Sequence, residues 1–474
     1  MIDAVSPANV AELGATEIST LVRAGAFDPS NVARVTLERI EATEPTLRAF
    51  ISVDRAPTLA SDGCDGLLAG VPVAIKDNLD VAGFCTTAGS RVLGHAGRKA
   101  DVDAAAVARW RAAGALIVGK TNLHEFAYGA TGVNPRWSTP ANPWNSRCIP
   151  GGSSSGSAVS VAARQVPLAL GTDAAGSIRM PASLCGIVGL KPTRGRVSTR
   201  GLLASHNASL DHVGPLARRV ADVALGLQAC AGYDALDSTS LDEPVPDYVA
   251  GLGARSDLRG LRVGVPRAYL FERVDPEVEH GVRLAIDHLT KLGATLVTFE
   301  IADLEDMMAA RLALFADGLV FHLPHLVAHP ELYSREIRHR LYTDVFVTAH
   351  DYARAARVRT ILRDRFAAAF RDDKLDVLAM PTTPVTALPL DQWLLDWPGR
   401  GEEPVGLALL RLTAPFNLTG LPAISVPAGF TDTNLPFGLQ LVARPFAECL
   451  LLQVAHHFEQ TTAWHERRPP DVES

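Results

Sequence analysis

Two glycine- and serine-rich loops, at residues 151–157 and 171–177, lie within the stretch 150–193, PGGSSSGSAVSVAARQVPLALGTDAAGSIRMPASLCGIVGLKPT. Serine hydroxyls on such loops can act as nucleophiles, helix caps or phosphate ligands. Glycine lets backbone amides approach a ligand closely. A further candidate is Lys76, which follows the short apolar run at 70–75. That run reads as a buried strand, and strand ends in α/β sheets are where catalytic groups collect.

Other constellations carry less. Residues 152–156 fit G-x-S-x-G, the nucleophile elbow, but an elbow needs a strand just before its serine. The polar run NPWNSRC and Pro150 supply none, so the match reads as accidental. His124 beside Glu125 suggests a metal or acid/base pair, yet loop and cap hydrogen bonding is the simpler reading. His212 beside Asp211 suggests a triad, but sequence neighbours imply no orienting geometry. Asp173 and Arg179 are placed to pair and brace the second loop. Cys185, between Leu184 and Ile187, reads as an inert core thiol.

The stretch resembles the signature of the amidase signature family, GGSSGGSA, then GTD-x-GGSIR-x-PA, then GLKPT. The resemblance continues at GVPVAIKDN (70–78) and NLTGLPAISVPAGF (417–430), and is scattered over nearly the whole chain. It implies an amide hydrolase with a Ser-Ser-Lys catalytic set and no cofactor. Ser177 would attack the carbonyl, Ser153 would bridge to Lys76, and Lys76 would be the ultimate base. The lysine must then be neutral, its pKa brought from ~10.4 toward neutrality by desolvation. The resemblance also implies an oxyanion hole from the amides of Ala174, Ala175, Gly176 and Ser177, a hydrogen bond from Ser154 to Lys76, and a cis Gly152–Ser153 peptide. Two departures from the pattern are GGSSSGS in the first loop and Ala175 in the second.

Two functions fit the resemblance. One is a stand-alone amidase; the other is the A subunit of a glutamine-dependent aminoacyl-tRNA amidotransferase. Residues 191–216 and the DALDSTS run at 234–240 resemble that component. It has an aspartate, holding glutamine's amino group, three residues before the threonine of its T-x-x-x-N-x-x-G-L-P run; here Leu410 stands three before Thr413. His124, where that relative has aspartate, points the same way. The expected substrate is a small, uncharged, partly apolar amide, or a related carbamate or urea. An ammonium in an apolar pocket would lack a counter-charge. Met307, Met308, Phe315 and Phe321 are candidates for the pocket, with simple packing as the alternative.

The bulk properties agree with an enzyme of small molecules. A net charge of −7 and a pI near 6.1 give no basic footprint for nucleic acid or anionic membrane. Six scattered cysteines without a C-x-x-C pair read as reduced thiols of a cytoplasmic protein and give no metal pattern. No run approaches the ~18 apolar residues of a membrane span, and the N-terminus is no signal peptide. A homodimer is left open.

The alternation of strands and helices implies an α/β sheet covered by helices. From the family we expect one large α/β/α domain with a mixed sheet over 1–474: a helical start to about 65, the signature core at about 66–232, then a remainder completing sheet and pocket. Helices are expected at 8–24, 31–44 (capped by Ser30), 103–113, 155–164, 178–184 (interrupted by Pro181), 277–291, 352–371 and 447–460, with one long helix within 303–345. Strands are expected at 70–75, 115–119, 166–170, 262–265, 294–299, 376–380, 423–427 and 437–442. Residues 390–404, with Trp393 and Trp397, read as a surface loop.

Overall fold

The computed structural model describes residues 7–59, 65–93, 98–203 and 209–470. An eleven-stranded sheet organises the molecule. In chain order its strands are β1 Phe50–Val53, β2 Pro72–Lys76, β3 Leu116–Thr121, β4 Leu168–Thr172, β5 Val188–Lys191, β6 Val213–Ala217, β7 Arg262–Pro266, β8 Thr295–Phe299, β9 Val377–Pro381, β10 Ala423–Phe430 and β11 Pro436–Ala443. Their spatial order is β1-β3-β2-β4-β6-β5-β10-β11-β9-β7-β8. Pairings of β3, β2 and β4 are parallel, as are those of β9, β7 and β8. The other neighbours, β1 with β3 and the run from β4 through to β9, are antiparallel. The sheet is therefore mixed, the α/β architecture expected.

Strands β2 to β6 are buried at every position, as strands covered on both faces must be. Their residues are accordingly near-continuously apolar rather than alternating. On one side Ala158, Val159, Val161 and Ile178 pack with Ala74, Ala169 and Leu216. On the other, Trp110, Val107, Val223 and Leu227 join Val73, Ile75, Leu168 and Leu170.

Three strands are absent from the sequence expectation: β1, β5 and β6. Gly189 in VGLK and Pro215 in VGPLA interrupt the apolar pattern, although Pro215 faces Leu170 in the ladder. The second N-terminal helix, Pro29–Leu47, is capped by Asp28, whose carboxylate accepts from the Ser30 amide; Ser30 is not the cap. The short helix Arg179–Cys185 is wholly buried and continues through Pro181, which sits in the first turn where no amide partner is lost. Residues 394–404 form a hairpin, Leu394–Trp397 with Gly401–Pro404, in which Trp397 is buried and its indole donates to Glu403.

The long helix expected within 303–345 is five pieces: Leu304–Ala310, a 3-10 stretch Arg311–Gly318, Leu319–Ala328, a 3-10 turn Pro330–Leu332 and Arg335–Asp344. Contrary to expectation, the run Leu304–Ala328 is long and apolar enough to cross a bilayer by length and composition. Its Leu314, His322 and Leu326 are buried in the protein. Of the cysteines, Cys64 lies outside the described residues. The other five are free thiols, with Cys148, Cys185 and Cys230 buried, and burial pushes the Cys185 thiol far up.

Candidate active site

Strand β2 ends at Lys76, whose side chain is fully buried. Its Nζ lies 2.7 Å from Ser153 Oγ, 2.8 Å from Thr172 Oγ1 and 3.4 Å from the Thr172 carbonyl. Thr172 closes β4, beside β2 in the sheet, so strand pairing itself brings these groups together. Asn78 Nδ2 donates to the same threonine hydroxyl at 3.0 Å. Burial strips water from the Lys76 ammonium and lowers its pKa to about 7, against the pull of Asp173 and Asp211, which favour the charged form. The turn after Lys76 is held by a buried ion pair, Asp77 with Lys120 at 2.8 Å.

The two serine loops meet above β4. The Gly152–Ser153 peptide is cis. Ser153 and Ser154 precede the buried helix Ser155–Ala162, and the Ser154 amide donates to the Ser177 carbonyl at 3.1 Å. Gly176 has φ +133, and a Cβ there would meet Thr413 Oγ1 at 2.1 Å, so this position accepts no side chain.

Asp173 and Arg179 form a fully buried bidentate pair at 3.0 and 3.1 Å. The same guanidinium donates to Gln440 on β11, Asn417 and the Thr413 carbonyl. Burial alone would raise the Asp173 carboxyl, but Arg179 overrides it and holds the group well below the usual carboxylate range. The pair therefore ties the second serine loop to the C-terminal part of the sheet. Removing Arg179 would leave a buried carboxylate uncompensated, a loss of about 3–5 kcal/mol. Arg179→Ala should lower the melting temperature markedly; an unchanged melting curve would contradict this brace.

Ser177 lines a pocket of about 340 Å³, within the size range of small-molecule sites. Ala174 and Ala175 line it beside Ser177, with Ala127, Tyr128 and Gly129 on one wall. Leu407 and Leu410 form another wall, and residues 312–344 contribute Leu312, Phe315, Arg340, Thr343 and Asp344. Of the four apolar candidates in 303–345, only Phe315 lines this pocket. Met307 and Met308 are core, and Phe321 packs edge-on against Phe126 at 5.8 Å.

Several sequence expectations are corrected here. Ser154 does not bond Lys76; its hydroxyl donates to the Thr172 carbonyl at 3.1 Å. Wholly buried and with no strand before it, Ser154 is no nucleophile elbow. Gly176 is not a free oxyanion donor, because its N–H donates to Asp173 Oδ1 at 2.6 Å. The amides of Ala174, Ala175 and Ser177 have no acceptor among the described residues. The premise that the pocket lacks a counter-charge also fails, since Asp344 and Arg340 line it.

His124 and Glu125 brace the wall. Glu125 accepts from Ser90 Oγ at 2.7 Å and from the Ser334 amide at 2.9 Å. Burial lowers His124 to about 4, against the nearby Glu336, so the ring is neutral at pH 7. His212 Nδ1 faces the Leu210 and Asp173 carbonyls and forms no triad. Among the described residues no group of three or more His, Cys, Asp or Glu could hold a metal ion. Sequence reading misses Thr172, although it stands inside the second signature loop. It also misses Tyr128, Arg340 and Asp344, for which no local signal exists.

The site thus joins a buried lysine hydrogen-bonded to one serine with a second serine lining a pocket, on a mixed sheet. The sequence profile described as Amidase matches residues 31–452, and the chain belongs to this amidase signature family. It is thus a hydrolase of C–N bonds in linear amides. The A subunit of the Glutamyl-tRNA(Gln) amidotransferase of Chloroflexus aggregans is 40% identical over 485 residues, covering 95% of this chain and 96% of that protein. The solved A subunit of the Glutamyl-tRNA(Gln) amidotransferase of Thermotoga maritima is 31% identical with TM-score 0.83, covering 98% of this chain and 99% of that one. A protein solved in a study of a vestigial complex and the origins of an s-triazine catabolic enzyme is 33% identical, with TM-score 0.86, covering 94% of this chain and 98% of that one.

Proposed function

We propose that this chain hydrolyses a small, partly apolar amide by itself, through an acyl-enzyme on Ser177. The contact of Lys76 Nζ with Ser153 Oγ at 2.7 Å carries the reading. With its pKa lowered to about 7, Lys76 is substantially neutral at physiological pH and can accept a proton. Ser177 Oγ attacks the carbonyl while its proton passes through the Ser153 hydroxyl to Lys76. The amides of Ala174, Ala175 and Ser177 hold the oxyanion; Ala175 supplies its amide as glycine would. Collapse returns the proton along the same path to the leaving amine, and water releases the acyl group by the reverse route.

The second reading is the A subunit of a glutamine-dependent amidotransferase, with partner subunits and tRNA in the reaction. The curated relatives favour it, against the expectation of a chain without nucleic acid. Leu410 favours the first, because it lines the pocket at the position where the family resemblance puts glutamine's carboxylate partner. Comparing kcat/KM for small alkyl or aryl amides with that for glutamine, using the chain alone, separates them. The first reading expects the simple amides to be better substrates. Efficient glutaminase activity, above all activity dependent on a partner, would sink it and establish the second.

A further inference from the structure

The pocket above Ser177 is apolar along Leu312, Phe315, Leu407 and Leu410, yet one carboxylate opens into it. Asp344 is the last residue of the helix Arg335–Asp344. A negative charge there faces the negative end of the helix dipole and is unfavourable for the helix. Asp344 Oδ2 accepts from the Tyr128 hydroxyl at 2.8 Å, which fixes the side chain. Oδ1 has no partner among the described residues.

Arg340, one turn earlier, is the pocket's cation, but its charge is already matched. Its Nη1 donates to the Tyr128 carbonyl at 2.6 Å, and its Nη2 lies 2.9 Å from Glu336 Oε1. His124, behind Glu336, is neutral. One guanidinium against two carboxylates, Glu336 and Asp344, leaves a single negative charge, and Asp344 bears it into the pocket. Partial burial also raises the Asp344 carboxyl, against the Tyr128 hydrogen bond and the charge of Arg340, both of which lower it.

We infer that Asp344 anchors a cationic group, so that the preferred substrate is a small amide whose apolar body ends in an ammonium, away from the scissile carbonyl. The apolar wall takes the body of the chain, and Asp344 Oδ1 takes the charge. This rests on the amide-hydrolase reading above and names its substrate class. Glutamine differs in a way that matters. Its ammonium shares a carbon with a carboxylate, which would be brought beside Asp344 with like charge.

The test compares 5-aminopentanamide with pentanamide, which differ only in the terminal ammonium. The wild-type enzyme should favour the amino compound in kcat/KM by about tenfold or more, the scale of one charge-assisted hydrogen bond. Asp344→Asn keeps an acceptor for the Tyr128 hydroxyl but loses the charge, and should bring the ratio to about one. Tyr128→Phe removes the hydroxyl but keeps the carboxylate, so the preference should survive. A wild-type ratio of one or below, or a preference that persists in Asp344→Asn, overturns the assignment. If neither amide is hydrolysed, the hydrolase reading fails, and the anchor is then decided by calorimetry alone. Pentylammonium must bind wild type more tightly than 1-pentanol does and lose that advantage in Asp344→Asn; equal binding overturns it.

Discussion

Ser177→Ala should reduce amide turnover by about 10⁴-fold or more while leaving the melting temperature near that of the wild type. The size of the effect follows from what the hydroxyl does. Without it there is no acyl-enzyme, and the remaining groups can only position a substrate and stabilise charge. The fold should tolerate the change because Ser177 Oγ makes no hydrogen bond among the described residues, and because the loop is held by other groups. The Asp173–Arg179 pair, the Gly176 amide on Asp173 and the Thr413 hydroxyl on the Ala175 carbonyl all remain. Activity within tenfold of wild type in Ser177→Ala would refute the assignment of the nucleophile.

The second large effect concerns Lys76. Only the neutral amine can accept the proton from Ser153, so protonation removes the active form. With the pKa lowered to about 7, kcat/KM should fall about tenfold per pH unit below that value and level off above it. Lys76→Arg should lose nearly all activity and regain none at high pH, since a guanidinium stays protonated. Arginine is also longer and must fit a site with no exposure, so Lys76→Met is the companion variant. It keeps an apolar stem of similar length, should fold, and should be equally inactive. An active Lys76→Arg enzyme, or a rate indifferent to pH between about 5 and 8, would rule out lysine as the base.

How far the sequence reveals these features varies with the range of the interaction. Lys76 is legible because the buried run at 72–75 leads into a K-D-N that matches the family pattern, and Ser153 and Ser177 because their loops carry a dense local signature. The Asp173–Arg179 brace is legible too, its partners being six residues apart. Thr172 as a partner of Lys76 is not, since that contact depends on β2 lying beside β4. Strands β5 and β6 escape notice because Gly189 and Pro215 break the pattern by which buried strands are recognised. The pocket is hardest of all. Tyr128 and Asp344 meet across 216 residues of sequence, and nothing local to either announces the other. The expectation of an uncharged pocket fails for that reason: Leu410 is visible through a motif, whereas Asp344 becomes visible only once the helix Arg335–Asp344 is laid against the residue 127–129 wall.

The central claim, that Ser177 carries the acyl group, is tested most directly by finding where a covalent reagent attaches. An activated phosphonyl fluoride mimics the tetrahedral intermediate and captures the attacking oxygen. After digestion and peptide mass spectrometry, the adduct should lie on Ser177 alone, and Ser177→Ala should take up no label. An adduct on Ser153 or Ser154, with Ser177→Ala still turning over amides, would contradict the account.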